Sequence, residues 1–295
     1  MARFYFLPYT FIIMDSIFNK ISKKDLLEFI DFCIPYISID KDKLYSYIIE
    51  TTKYYKGDSR ERKKLRELQD LEIKWYDSLK INEPDYSVYE SDYFLGEVWA
   101  CWAIYSRKYL LSLKSEKSLI NKSIIDDIGS IKSIIDLGCG IGYTTAGLKE
   151  LFPKAKVYGT NIEDSYQWKV ASELGKKYKF SLLPDAFKNK SIDLIFASEY
   201  FEHIENAVEH IADIINNCHP KILIIANSFG TESVGHFIKY KYMDGWYDGK
   251  ATSRMFNNIL RKMGYEKIDT KLWNNKPAYW KLNIDNKKIK RGRLF

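Results

Sequence analysis

The chain has 295 residues, 46% hydrophobic and 29% charged, enough apolar side chain for one large domain or two modest ones without disulfide or metal staples. The formal net charge of +7 leans toward a polyanionic partner without demanding one. Cys33, Cys101, Cys139 and Cys218 stand far apart, with no CxxC spacing and no histidine cluster, so no disulfide framework, zinc site or other metal centre is expected.

Phe4 to Ile13 is an apolar stretch interrupted by Pro8, without a small-residue cleavage site and shorter than the ~20 apolar residues of a membrane span. A soluble, cytoplasmic chain with no membrane partner is the expectation. Helical patterns follow. Lys24 to Ile30 and Leu44 to Tyr55 are amphipathic, and between Ser59 and Leu79 the residues Leu65, Leu68, Leu71 and Ile73 recur near helical spacing. Asn82-Glu83-Pro84-Asp85-Tyr86 reads as a loop. Phe94 to Leu113 is apolar almost all round and reads as a buried helix.

Beyond residues 115–131 strand and helix signals alternate. Strands are expected at 133–137, 156–159, 180–183, 192–197, 221–226, 265–271 and 277–284, and helices at 144–152, 166–177, 202–216 and 253–263. That alternation predicts a doubly wound α/β fold: a seven-stranded, mostly parallel sheet with an antiparallel C-terminal edge hairpin. The domain organisation is a helical N-terminal region over 1–125, a Rossmann-like domain over 126–286, and a basic tail over 287–295. The tail, Lys287-Lys288-Ile289-Lys290-Arg291-Gly292-Arg293, is either a solvated end or a grip on a phosphate backbone. Aromatics reach 16%, which fits base-stacking or sugar-binding surfaces, or merely the codon bias of an AT-rich genome.

The chemistry concentrates at Ile134-Ile135-Asp136-Leu137-Gly138-Cys139-Gly140-Ile141-Gly142-Tyr143-Thr144, where a buried strand runs through a glycine turn into a helix N-terminus. Glycines allow positive φ and close approach of the backbone to a ligand, and the helix end presents unpaired N–H groups. This stretch resembles the first motif of the class I S-adenosylmethionine-dependent methyltransferases, whose usual form is Asp-Leu-Gly-Cys-Gly-x-Gly. The resemblance implies S-adenosyl-L-methionine as cofactor, held by Asp136, Gly138, Cys139, Gly140, Gly142 and Tyr143. In that family the second strand ends in an acid that bonds the ribose hydroxyls. Here Asn161 takes that place, followed by Ile162 and Glu163, either of which could border the ribose. Leu183-Pro184 matches the third motif, but the acid that should precede it is missing, and Asp185 lies on the wrong side.

Ser198-Glu199-Tyr200-Phe201-Glu202-His203-Ile204 is similar to the Ser-Glu-x-x-Glu-His-Ile signature of family members that act on small molecules, sugars and some RNA. The resemblance places Ser198 beside the cofactor, and Glu199, Tyr200, Glu202 and His203 near the transferred methyl group. His203, with an unperturbed pKa of ~6.5, suits proton removal from an acceptor. Equally, Glu202 and His203 could cap the following helix. Asp/Asn-Pro-Pro-Tyr/Phe and Pro-Cys, the strand-tip motifs of DNA methyltransferases, are absent. Asn227 and His236 lie in a long polar loop after the next strand and are candidates for substrate contacts, although His236 also reads as a surface residue. Tyr240, Tyr242, Trp246 and Tyr247 could wall a pocket or pack on the sheet, and Tyr86, Tyr89, Tyr93 and Trp99 could select a substrate or fill a core.

Methyl transfer to a small metabolite, sugar, nucleotide or nucleic acid is the leading expectation. The alternative is a catalytically silent, nucleic-acid-binding partner that keeps the fold.

Overall fold

The computed structural model describes residues 21–55, 66–90, 98–113, 129–184, 191–270 and 276–283. The N-terminal apolar stretch, Leu65, Tyr93, Asp185 and the basic tail lie outside these residues, as does the side chain of Trp99. The chain divides into two compact units, one of residues 1–105 with 233–235, the other of residues 106–232 with 236–295.

The first unit is helical. Helix α1 (Lys23–Cys33) begins at a reciprocal cap, in which Ser22 accepts from the Asp25 N–H and Asp25 accepts from the Ser22 N–H. Its apolar stripe buries Leu26, Phe29, Ile30 and Phe32, and Pro35 follows in a 3₁₀ turn. Helix α2 (Lys41–Tyr55) adds Leu44 and Ile48 to the core, and α3 (Arg66–Lys80) adds Trp75. The punctuated stretch after α3 ends in a 3₁₀ turn at Tyr86–Glu90. There Tyr86 packs on Trp75 with ring centroids 5.9 Å apart and stacks on Tyr89, so these two tyrosines pack on one another and on the core. Helix α4 (Val98–Ser112) starts in this unit and ends in the second.

The second unit is a wound sheet. Its strands are β1 (Ser133–Leu137), β2 (Lys156–Gly159), β3 (Ser181–Leu182), β4 (Leu194–Ser198) and β5 (Ile222–Ala226), joined by α5 (Tyr143–Leu151), α6 (Tyr166–Tyr178) and α7 (Ala207–Cys218). A hairpin of β6 (Lys239–Tyr242) and β7 (Gly245–Asp248) precedes α8 (Gly249–Lys262), β8 (Tyr265–Ile268) and β9 (Ala278–Leu282). The seven-stranded sheet runs β3-β2-β1-β4-β5-β9-β8. Strands β1 to β5 pair in parallel, and β9 lies antiparallel to both β5 and β8. β1, β4 and β5 are buried along nearly their whole length, as strands covered on both faces must be. The expected fold class is therefore what the chain adopts.

Two differences from expectation bear on the site. The helix predicted from Glu202 begins only at Ala207, because the carbonyls that would extend it backward are taken by the loop after β5. Glu202 O accepts from the Phe237 N–H and the Tyr240 hydroxyl, and Glu205 O accepts from the Lys241 N–H at 2.8 Å. Residues 201–203 form a 3₁₀ turn instead, and the helix N-cap is Asn206, which makes no side-chain cap bond. Glu202 and His203 are thus not helix caps. The other difference is the β6–β7 hairpin, which the sequence pattern did not predict. Tyr240 is buried there while Trp246 and Tyr247 are exposed. Among the described residues no helix is long and apolar enough to cross a membrane.

Candidate active site

The glycine turn stands at the carboxyl end of β1. Gly138, Gly140 and Gly142 have φ of 61°, 55° and 88°, a left-handed path that a side chain would strain at each step. Thr160, just past β2, anchors the turn: its carbonyl accepts from the Cys139 N–H at 2.8 Å and its hydroxyl from the Gly138 N–H at 3.2 Å. The Gly142 N–H closes on Cys139 O. The amides of Gly140 and Ile141 make no hydrogen bond among the described residues.

Neighbouring side chains press on this turn. A Cβ on Gly138 would sit 2.5 Å from the Tyr200 ring, and one on Gly142 2.5 Å from the Phe180 ring. The Cys139 side chain is buried against Gly159, where burial pushes its thiol well up, so it packs as an inert hydrophobe. Asp136 is fully buried and accepts from the Thr144 and Thr145 hydroxyls, both at 2.7 Å. Burial raises its pKa to about 7 against the lowering effect of those two bonds. Its carboxyl therefore ties β1 to the first turn of α5. Tyr143, also buried, carries the Arg107 guanidinium over its ring at 4.8 Å, and Arg107 bonds Tyr143 O and Glu150.

At the end of β2, Asn161 turns its amide onto the turn itself. Nδ2 donates to Gly140 O at 3.0 Å and Oδ1 accepts from the Ile162 N–H at 2.8 Å. Ile162 and Glu163 are exposed beside it.

The tip of β4 gathers the other candidates. The Ser198 and Ser106 hydroxyls lie 2.7 Å apart. Glu199 adopts a left-handed φ of 53°, and its N–H donates to Ala226 O. Tyr200 bonds His210 Nε2 through its hydroxyl at 3.0 Å, so its ring walls the glycine turn and its oxygen is engaged with α7. Glu202 is fully buried; Oε1 accepts from the Ser228 N–H, while Oε2 has no hydrogen-bond partner. Burial first, and the neighbouring Glu199 charge second, hold its pKa well above the carboxylate range. His236 is buried, not a surface residue, with Nδ1 2.7 Å from Thr231 O. Burial pushes its pKa down, opposed by the Glu199 charge and reinforced by that of Lys276. The ligand-capable atoms of Glu199, Glu202 and His236 lie within 4.8 Å of one another, and the His203 ring stands edge-on to His236 at 4.7 Å. Asn227 follows β5 with its amide oxygen buried and unpartnered.

The fold thus brings Glu199, Glu202, His203 and His236 together, and sets Asp136, Cys139 and Tyr143 into packing roles around the turn. Sequence reasoning missed Thr160, His210, Ser106 and Thr231. Each acts through a hydrogen bond that only the folded chain brings together, and no local pattern marks it.

A sheet ordered β3-β2-β1-β4-β5-β9-β8 with β9 reversed, opening on a glycine turn after β1, defines the class I methyltransferase fold. Residues 135–224 match the family model described as a methyltransferase domain. The chain is 24% identical over 131 residues to the ubiquinone biosynthesis O-methyltransferase of Rickettsia bellii, in two strains. That match spans 42% of this chain and 54% of the relative, so the chain covers about half the length of the curated relatives it matches. An O-methyltransferase family protein from Burkholderia thailandensis superposes with TM-score 0.42 at 8% identity, over 72% of this chain and 69% of that one. The plantazolicin methyltransferase BpumL, solved with SAH, gives TM-score 0.38 at 19% identity over 55% and 61%.

Proposed function

We propose that the protein transfers a methyl group from S-adenosylmethionine to an oxygen of a small-molecule acceptor. The observation that carries this is the three-glycine, left-handed turn at the carboxyl end of β1, with two unpaired amides inside a methyltransferase domain. The residues fit that cofactor. The Gly140 and Ile141 amides are unpaired, Tyr200 and Phe180 wall the turn at Gly138 and Gly142, and exposed Ile162 and Glu163 border the place of a ribose. When bound, the cofactor supplies an electrophilic methyl group on a sulfonium.

The chain's own part is to position the acceptor in line and receive its proton. His203, partly exposed beside the Glu199 and His236 cluster, is the side chain assigned to orient or deprotonate the hydroxyl. An oxygen acceptor agrees with the curated relative's name as an O-methyltransferase. The alternative of a silent nucleic-acid-binding partner gains nothing from the site, where the whole turn is retained. Calorimetry tests the proposal: S-adenosylhomocysteine should bind with a micromolar Kd. Absence of both heat and thermal stabilisation at saturating ligand would sink it.

Asn161 sharpens the reading. Restoring the acid usual at that position, Asn161→Asp, is expected to weaken cofactor binding, because a carboxylate would repel Gly140 O where the amide now donates. Losing that bond and the one at 3.4 Å to Gln167 Oε1 leaves a carboxylate facing two acceptors, which costs about 1–3 kcal/mol, roughly ten-fold or more in Kd. Tighter binding by the variant in the same calorimetric titration would instead give Asn161 a direct ribose contact.

A further inference from the structure

We propose that Glu199, Glu202 and His236 form a binding site for one divalent cation at the carboxyl ends of β4 and β5. Their ligand atoms lie within 4.8 Å of one another. Around a cation with bonds of about 2.0–2.2 Å, neighbouring ligands stand about 3 Å apart and opposite ones about 4.4 Å, so the trio closes on an ion with side-chain shifts on the order of an ångström.

The polar bookkeeping points the same way. Glu202 is 0% exposed, yet its Oε2 has no hydrogen-bond partner, and the Glu199 Oε1 beside it has none either. The Asn227 amide oxygen at the end of β5 is a third buried acceptor in the same condition. The two glutamate oxygens can only accept unless one carboxyl holds a proton, so what would satisfy them is a positive charge or a shared proton. Buried acceptors ordinarily find partners, and two carboxylates facing one another without one are costly.

His236 is prepared as a ligand. Thr231 O can only accept, so the imidazole bonded to it carries its proton on Nδ1, which leaves the Nε2 lone pair as the ligating atom. A backbone carbonyl holding the far nitrogen is the usual support behind a metal-bound imidazole. Two carboxylates and one imidazole suit Mn²⁺ or a cation like it, and three protein ligands leave coordination positions open. If the methyltransferase reading holds, those positions select an acceptor that offers oxygen; the cation site itself does not depend on that reading.

The full-length protein, stripped with a chelator, is titrated with Mn²⁺ at neutral pH while electron paramagnetic resonance follows the free ion. One Mn²⁺ per chain with a Kd of about 10 µM or tighter is expected. Glu202→Gln and His236→Gln should each weaken it by about 10–100-fold. Mn²⁺ should also raise the unfolding temperature of the wild type and not of either variant, so one misfolded variant does not spoil the test. No uptake by the wild type, or uptake that both variants retain, overturns the site; a proton shared between the two glutamates then takes its place. Calorimetry of S-adenosylhomocysteine on the metal-free protein separates the two readings. Cofactor binding without Mn²⁺ uptake removes the cation site alone, and Mn²⁺ uptake without cofactor binding removes the methyltransferase reading alone.

Discussion

Gly138→Ala is expected to weaken S-adenosylhomocysteine binding about 100-fold and to cost the fold about 3 kcal/mol. Two separate effects add. Alanine at φ 61° sits in left-handed backbone, at about 1 kcal/mol. The new methyl would also lie 2.5 Å from the Tyr200 ring, which cannot swing aside without breaking its hydroxyl bond to His210. That overpacking accounts for about 2 kcal/mol more. A double-mutant cycle resolves them: in a Tyr200→Ala background the alanine should cost only its backbone share, a coupling of about 2 kcal/mol in urea unfolding. A coupling near zero would show that the ring yields freely and that Gly138 is glycine for its backbone alone.

Much of this arrangement is legible in the residues because it follows from short-range pattern. The short, mostly apolar runs over 133–137, 192–197 and 221–226, alternating with helical patterns, read as strands covered on both faces, and the glycines after Leu137 announce a turn that rejects side chains. Where reasoning fell short, a distant partner decided the outcome. Glu202 to Glu205 carries acceptable helix pattern, yet the chain at Phe237 and Lys241 takes the carbonyls that a helix would need. The hairpin Lys239–Asp248 alternates Lys with Tyr before an exposed Met243-Asp244 turn, a strand signal hidden in a run already crowded with aromatics. Asn161 stands where an acid binds ribose in the resembling family, and only coordinates reveal its amide on Gly140 O. His236 lies far along the chain from Glu202, so no spacing rule over Cys and His could have joined them.

Asp136 should make stability fall as pH rises through neutrality. Its ordinary pKa of 3.8 is raised to about 7 in the fold, chiefly by complete burial. Between these values the native state holds a proton that the unfolded state has released, so unfolding becomes more favourable as pH increases. The contribution of the neutral carboxyl is whole below about pH 4, declines through about pH 7, and is gone above. Its full span is about 4 kcal/mol at 1.36 kcal/mol per pKa unit, of which about 2 kcal/mol falls between pH 5.5 and 8. Glu202, also raised by burial, tilts the wild-type curve in the same direction, so the curve alone cannot isolate Asp136. Asp136→Asn can. With its amide oxygen in place of the Asp136 Oδ2 it still accepts from both threonine hydroxyls, and it is neutral at every pH. Measured by urea unfolding, the variant should gain about 2 kcal/mol on the wild type between pH 5.5 and 8. The opposing forces are the two hydroxyls and the positive end of α5, which favour the charged carboxylate. A gap between variant and wild type that stays constant with pH would mean that these forces win, and that the glycine turn rests on a buried anion.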